Sequence, residues 1–186
     1  RNLYEGANDC RWWALTSYFR EAFDDYNSLI DKKEEITSIL QYINGLYTVY
    51  TNILVFDKNG KVIAVSDKNN EYLIGKILTQ DWVEKTLILR DTSKYCVSKF
   101  EKSALYDNES TYIYSSAIRS FKDEKIITGG IAVVFDSTPQ FNAMLDESLP
   151  RDIDGNKISG IFALFTDKDK KIISSTNDNF QVDSYL

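Results

Sequence analysis

The residues able to do chemistry in this 186-residue sequence are marked first by a type they lack: there is no histidine. That removes the commonest general base, the usual catalytic triads, a phospho-accepting imidazole and most transition-metal sites. Carboxylate or lysine catalysis remains, yet no pair of acids stands apart from the general scatter of 28 Asp and Glu residues, so no enzymatic activity is expected. Gly129-Gly130 lies inside a strand-like run and Gly60 in a turn, so neither belongs to a P-loop or dinucleotide fingerprint. Asp152-Ile153-Asp154-Gly155-Asn156 begins like a calcium loop, but its glycine falls at the fourth position instead of the sixth, and it reads as an Asp-Gly turn. Neither a cofactor nor a metal is expected. Cys10 and Cys96 have no metal-ligand or CxxC spacing and read as unpaired, mostly buried thiols.

Binding is the chemistry that remains. Along Tyr112–Arg119, alternation puts Tyr112, Tyr114 and Ser116 on one face and Ile113, Ala117 and Arg119 on the other. Apolar bodies with polar tips suit a small-molecule pocket, and they equally suit a core face with solvated hydroxyls. Trp82, in a short predicted helix over Asp81–Leu89 with Val83, Thr86 and Leu87, has the same two readings. Asp136 is either a pocket acid or a strand-ending turn residue. Trp12 and Trp13 either cover the sheet, as adjacent tryptophans on an amphipathic helix more often do, or anchor a dimer through an exposed patch.

These residues need a frame. Leu3, Ala7, Cys10, Ala14, Tyr18 and Ala22, widened by Trp12, Trp13, Leu15 and Phe19, predict one long amphipathic helix over 3–23. Ile36, Ile39, Leu40, Ile43 and Leu46 predict a second, after the solvated run Asp31–Glu35 and stopped at Asn44-Gly45. Ile53–Phe56 and Val62–Val65 flank Asp57-Lys58-Asn59-Gly60, a hairpin in which Asn-Gly supplies the positive-φ residues. The segment Leu164–Asn179 echoes Val55–Asn70, with Asp167 on Asp57 and Lys171 on Lys61. Strands are expected at Tyr95–Phe100, Thr111–Arg119 and Ile126–Phe135, and a helix at Pro139–Leu149. The fold class is α+β: an antiparallel sheet with long N-terminal helices packed on one side and a second hairpin from a partial repeat. Three segments are expected: a helical segment 1–50, a core 51–150, and a C-terminal hairpin 151–186 that starts a second module or extends the sheet.

Composition narrows the partners. A net charge of −6 and a pI near 4.8, with basic residues interleaved among acids, exclude a general nucleic-acid binder, which needs a clustered cationic surface. No apolar run reaches spanning length, and Arg1-Asn2-Leu3-Tyr4 is not a signal-peptide core. Opening on Arg1 instead of methionine suggests a piece cut from a longer protein.

Four stretches taken together resemble a Cache domain, the PAS-like ligand-binding module of bacterial methyl-accepting chemotaxis-type receptors and related signalling proteins. They are NLYEGANDCRWWA (2–14), VFDKNGKVIAVS (55–66), IGK (74–76) followed by Asp81-Trp82, and GGIAVVFD (129–136) followed by STPQFNAML. The first is similar to an LYER-xx-DVRWWATD opening, with Gly6 for arginine and Cys10 for valine. The resemblance covers most of the chain, and the family continues past a hairpin like FTDKDKKIISST with further sheet residues.

The resemblance implies a non-catalytic sensor that holds a carboxylate, amine or amino-acid-like ligand between the sheet and its helix-loop cover. It would signal through its N-terminal helix, form a homodimer there, and lie outside the cytoplasm, with a wholly soluble receptor as the alternative. It makes Trp82 the pocket tryptophan, puts Tyr114 and Ser116, with Tyr112 beside them, on a pocket strand, and makes Asp136 the acid closing the last core strand. Amino-acid-sensing members carry an arginine two residues before that tryptophan and an acid on the strand matching Tyr95–Ser98. Here Gln80 takes the first place and the second has no acid. The competing reading is a ligand-free PAS-like dimerisation or interaction module whose own side chains fill the space around Trp82 and Tyr114.

Overall fold

The computed structural model describes residues 4–186, so the expected helix position Leu3 lies outside the described residues. In chain order the elements are α1 (Tyr4–Ala14), α2 (Ser17–Phe23), α3 (Tyr26–Asp31), α4 (Lys33–Leu46), β1 (Tyr50–Asp57), β2 (Val62–Val65), α5 (Asp81–Leu87), β3 (Cys96–Val97), β4 (Glu101–Ser103), β5 (Glu109–Thr111), β6 (Ile113–Arg119), β7 (Ile127–Phe135), α6 (Ser137–Ser148), β8 (Leu164–Thr166) and β9 (Ile172–Ser175). They form two compact units. One runs to residue 99 and adds 112–135; the other takes 100–111 and 136–186. This partition differs from segments 1–50, 51–150 and 151–186, because α1 and α4 pack directly on the sheet strands while α6 packs on β9.

In the first unit the antiparallel sheet has the order β2-β1-β7-β6-β3. Ile53, Leu54, Val55 and Phe56 of β1 and Ile131 to Val134 of β7 are wholly buried, which places the core in the sheet centre. All seven residues of β6 are buried, so both faces of the sheet need cover. Helices α1 and α2 lie on one face and α5 on the other. The N-terminal helices α1 and α2 thus share one side, as expected, and α5 adds cover on the other. Two consecutive glycines report the two faces. A Cβ on Gly129 would meet the Phe23 ring of α2 at 2.7 Å, and one on Gly130 would meet the Phe56 ring at 2.3 Å.

The long N-terminal helix is broken in two. Leu15 N–H bonds the carbonyls of both Arg11 and Trp12, Thr16 N–H bonds that of Trp13, and Thr16 then turns extended at φ −59°, ψ 122°. The tightened last turn and the Thr16-Ser17 hydroxyl pair, poor in helix interiors, end α1 there. The neighbouring tryptophans divide: Trp13 is buried edge-on against Tyr47 and Tyr50, and Trp12 is 75% exposed.

The first hairpin departs from the two-residue Asn-Gly form. Only Gly60 has positive φ, at +78°. Gly60 N–H bonds the Asp57 carbonyl, and the Asp57 carboxylate accepts from the N–H groups of Asn59 and Lys61, which is a type I turn closed by a left-handed residue. The second unit repeats it. Lys170 N–H bonds the Asp167 carbonyl, and the Asp167 carboxylate accepts from Asp169 and Lys171. The echo extends beyond the matched letters. Val62 pairs with Lys76 and Gly75 as Ile172 pairs with Ser184 and Asp183, and Leu78 N–H reaches the Gly60 carbonyl as Leu186 N–H reaches that of Lys170. Lys170 and Asp183 occupy, at φ 66° and 69°, the left-handed positions held by Gly60 and Gly75 in the first copy.

In the second unit β4 pairs with β5 and β8 with β9. Phe141 of α6 packs edge-on against Phe165 of β8, and Ser174 of β9 donates to Asn142. The calcium-like stretch is a turn: the Asp152 carboxylate accepts from the N–H groups of Asp154 and Asn156, and Gly155 has φ +83°.

Candidate ligand-binding face

Helix α5 begins at Gln80, whose extended backbone precedes the first turn. One turn of spacing puts Trp82 and Thr86 on the same side of it, against the sheet. The Trp82 ring is buried edge-on against Phe56, with centroids 5.8 Å apart. The Thr86 hydroxyl donates to the Trp82 carbonyl at 2.6 Å and lies 2.6 Å from the Ser115 hydroxyl of β6. Cys96 stands opposite Ser115 in the β3–β6 ladder. Its thiol is pushed up by burial and partly offset by Lys85 and by hydrogen bonds to Ser115 and Thr86. A hydroxyl and thiol cluster therefore sits under Trp82, closed from water and internally hydrogen-bonded.

Arg119 ends β6 on that same face, 4% exposed. Its guanidinium donates to the carbonyls of Leu89, just past α5, and Glu124. Gln80 Oε1 is a buried acceptor with no hydrogen-bond partner.

The sequence-predicted residues do not gather around Trp82. Tyr114 lies on the opposite face, its ring over α1, where a Cβ on Gly6 would come within 3.0 Å of it. Burial raises its phenol strongly, and Tyr112 and Tyr95 add to the effect. Ser116 shares the Tyr114 face and donates to the Lys94 carbonyl at 3.3 Å. Tyr112 is half-buried just before β6, and its carbonyl accepts from Phe135 N–H. Asp136 belongs to the second unit, where it precedes α6 and accepts from the Tyr106 hydroxyl at 2.8 Å; that hydroxyl in turn accepts from Thr138 N–H. Tyr114 and Ser116 share one face of β6, but a lone helix carries no signal for the sheet face it covers. Ser115, Phe56 and Arg119 are the face residues missed; the odd-numbered register of β6 was the available signal for Ser115 and Arg119.

Each unit also has an open cavity. One of about 560 Å³ lies between α2, α3 and the two sheet-end turns, with Asp24, Lys61, Lys122 and Asp123 among its lining residues. Another of about 720 Å³, in the second unit, is lined by residues of β5, α6 and β9 and the segment after β9, including Ser137, Asn142 and Phe180.

Comparison with known proteins agrees with this architecture. No curated protein sequence matches the chain. The histidine kinase DctB sensor domain of V. cholerae superposes with a TM-score of 0.68 over 96% of this chain and 61% of that one, at 15% identity. The ligand-binding domain of the Campylobacter jejuni chemoreceptor Tlp3, in complex with 4-methylisoleucine, gives 0.64 over 94% and 61%, at 20% identity. An extracellular ligand binding receptor from Desulfohalobium retbaense gives 0.62 over 80% and 25%, at 13% identity. The chain thus spans less than two thirds of the length of each of these structures. Residues 35–134, more than half of the sequence, match the family model described as the WalK sensor protein kinase Cache domain. The chain belongs to the Cache family of sensor domains.

Proposed function

We propose that this chain is the ligand-binding sensor region of a bacterial signal-transduction receptor. Its output would be of the chemoreceptor or the histidine kinase type, as in the similar Tlp3 and DctB structures. The observation that carries the reading is the match of residues 35–134 to the Cache sensor-domain model, which includes Trp82 and the sheet face that it covers. The ligand is a small polar metabolite, and its site centres on Trp82, with Thr86 and Ser115 beside it; Tyr114 and Ser116 lie on the opposite sheet face and Asp136 in the other unit, so they are not part of it.

The receptor works as a homodimer through its N-terminal helix, where exposed Trp12 and Leu15 offer an apolar patch. It lies outside the cytoplasm, as does the similar extracellular ligand binding receptor of D. retbaense. No helix among the described residues is long and apolar enough to cross a membrane. The repeated hairpin supports reading 151–186 as the first strands of a second module.

A thermal-shift screen of carboxylates, amines and amino acids tests the sensor reading. A ligand at one hundred times its dissociation constant adds about 2.7 kcal/mol. Absence of any stabilisation at millimolar concentrations would sink it. One observation favours the ligand-free module instead: Phe56 fills the space beside Trp82 with its own ring. That reading requires a flat screen and a dimer whose affinity falls on Trp12→Ala.

A further inference from the structure

We infer that the segment Ile88–Tyr95 is a strap that carries movement of the Trp82 helix to the N-terminal helix, and that Arg11 is the positioning residue that clasps it. This rests on the sensor reading and names the route by which that site reaches α1. Alternation along β6 sends Ser115 and Arg119 to the α5 face and Tyr114 and Ser116 to the α1 face. The segment is held from both. Just past α5 the Leu89 carbonyl accepts from the Arg119 guanidinium, and further on the Lys94 carbonyl accepts from the Ser116 hydroxyl at 3.3 Å. Between those two carbonyls the chain crosses from one sheet face to the other, before it pairs with β6 as β3.

Arg11 grips the far end of this segment. Its Nη1 donates to the Ser93 carbonyl at 2.7 Å, and its guanidinium lies over the Tyr95 ring, 5.4 Å from the centroid. Its other contacts, from Nε to the Ala7 carbonyl at 3.3 Å and from Nη2 to the Asn8 side chain, stay within α1 and fix the guanidinium to the helix. A planar fork that bonds a carbonyl and stacks on a ring holds its partner in one direction. Ser93 is in turn tied to the segment's own turn, because the Asp91 carboxylate accepts from its N–H and its hydroxyl. The last turn of α1 has two arrangements open to it. Leu15 N–H is shared between the Arg11 carbonyl at 3.3 Å and the Trp12 carbonyl at 3.2 Å, the α partner and the tighter 3₁₀ partner. Arg11 thus holds the strap by its side chain and offers one of the two competing acceptors from its backbone. A ligand that shifts α5 draws on the strap and tips Leu15 N–H toward one carbonyl, which changes the helix end where Trp12 and Leu15 are exposed.

Backbone amide exchange on the whole chain tests the route without a ligand. Thr86→Val removes the hydroxyl between α5 and Ser115 and so displaces α5 from its own side. It should speed exchange at Ser93, Lys94 and Leu15 by about threefold or more relative to the β1 amides, which report global opening. Arg11→Gln opens the clasp. On that background Thr86→Val should still speed Ser93 and Lys94 but leave Leu15 unchanged. Tyr95→Leu loosens the clasp without altering α1, and should cut the Leu15 response to Thr86→Val by about half or more. A Leu15 response undiminished in either variant shows that the sheet carries the movement, and overturns the strap. So does a Leu15 amide unmoved by Thr86→Val in the otherwise wild-type chain. Transfer that is present in that chain and lost in Arg11→Gln supports the strap even beside a flat ligand screen, which then overturns the sensor reading alone.

Discussion

Gly130→Ala tests the packing of the Trp82 face directly. A Cβ at position 130 would lie 2.3 Å from Phe56 Cζ, 2.7 Å from Cε2 and 3.0 Å from Cε1, against an ordinary carbon contact of about 3.5–4.0 Å. The ring must therefore retreat by about 1 Å, and it has little room to do so, because Phe56 is fully buried and already edge-on to Trp82. Overpacking of this kind costs about 1–3 kcal/mol. Replacing a strand glycine returns about 0.5–1 kcal/mol of backbone entropy. The net loss should be about 1–2 kcal/mol, read as a lower urea midpoint with an unchanged slope. Phe56→Leu removes the clashing ring edge and alone should lose less than the about 3–5 kcal/mol typical of truncating a buried Phe to Ala. In the double variant the two losses should fall short of their sum by at least about 1 kcal/mol. Additivity within about 0.5 kcal/mol, or a stabilised Gly130→Ala, would refute the reasoning.

Gly60→Ala should destabilise the first unit by about 1–2 kcal/mol, since Gly60 has φ +78° and its Cβ would approach the Leu78 carbonyl to 3.1 Å; thermal melts check it. Lys170→Gly relieves the same backbone conformation in the echo hairpin, φ 66°, and should leave stability unchanged or raise it by up to about 1 kcal/mol; a marked loss would show that the Lys170 side chain matters. Tyr106→Phe removes the hydroxyl shared by Asp136 and Thr138 N–H and should cost about 1–2 kcal/mol by chemical denaturation. Stability should be flat around neutrality and fall above about pH 9. Burial pushes the Cys10 thiol up to about 12 from 9.0 and raises the Tyr50 and Tyr114 phenols above 10.0. The unfolded chain then releases protons that the folded one retains, so the contribution present below pH 9 is lost as pH rises. A melting temperature that climbs from pH 9 to 10.5 contradicts this.

The sheet was legible because its residues alternate or run apolar between turn formers: β2, β6 and β7 fall within two residues of the expected strands, and β1 starts three residues before Ile53. Local hydrogen bonding set what periodicity missed. The helical stripe continues through Leu15 and Thr16, but the backbone breaks there. Strand Tyr95–Phe100 shrank to Cys96-Val97, which stand opposite Ser115 and Tyr114 of β6, with Ser98 adding hydrogen bonds to Ile113 at its end. Trp82 was legible as a residue of interest and not as a neighbour. Whether a seven-residue helix lies above or below a sheet depends on the course of the loops at 66–80 and 88–95, which have no periodicity to read.

The echo hairpin has a consequence for how this chain behaves in solution. Along β1 the edge opposite β2 is covered by the nine residues of β7, whereas β8, its counterpart in the repeat, has only β9 beside it among the described residues. An uncovered edge is a template for another strand, and proteins blunt such edges by shortness and irregularity. β8 has both: three residues, with the register shifting after Phe165. It offers too little regular backbone to nucleate open-ended stacking between copies, while leaving a short, directional seam that a single well-matched strand can close.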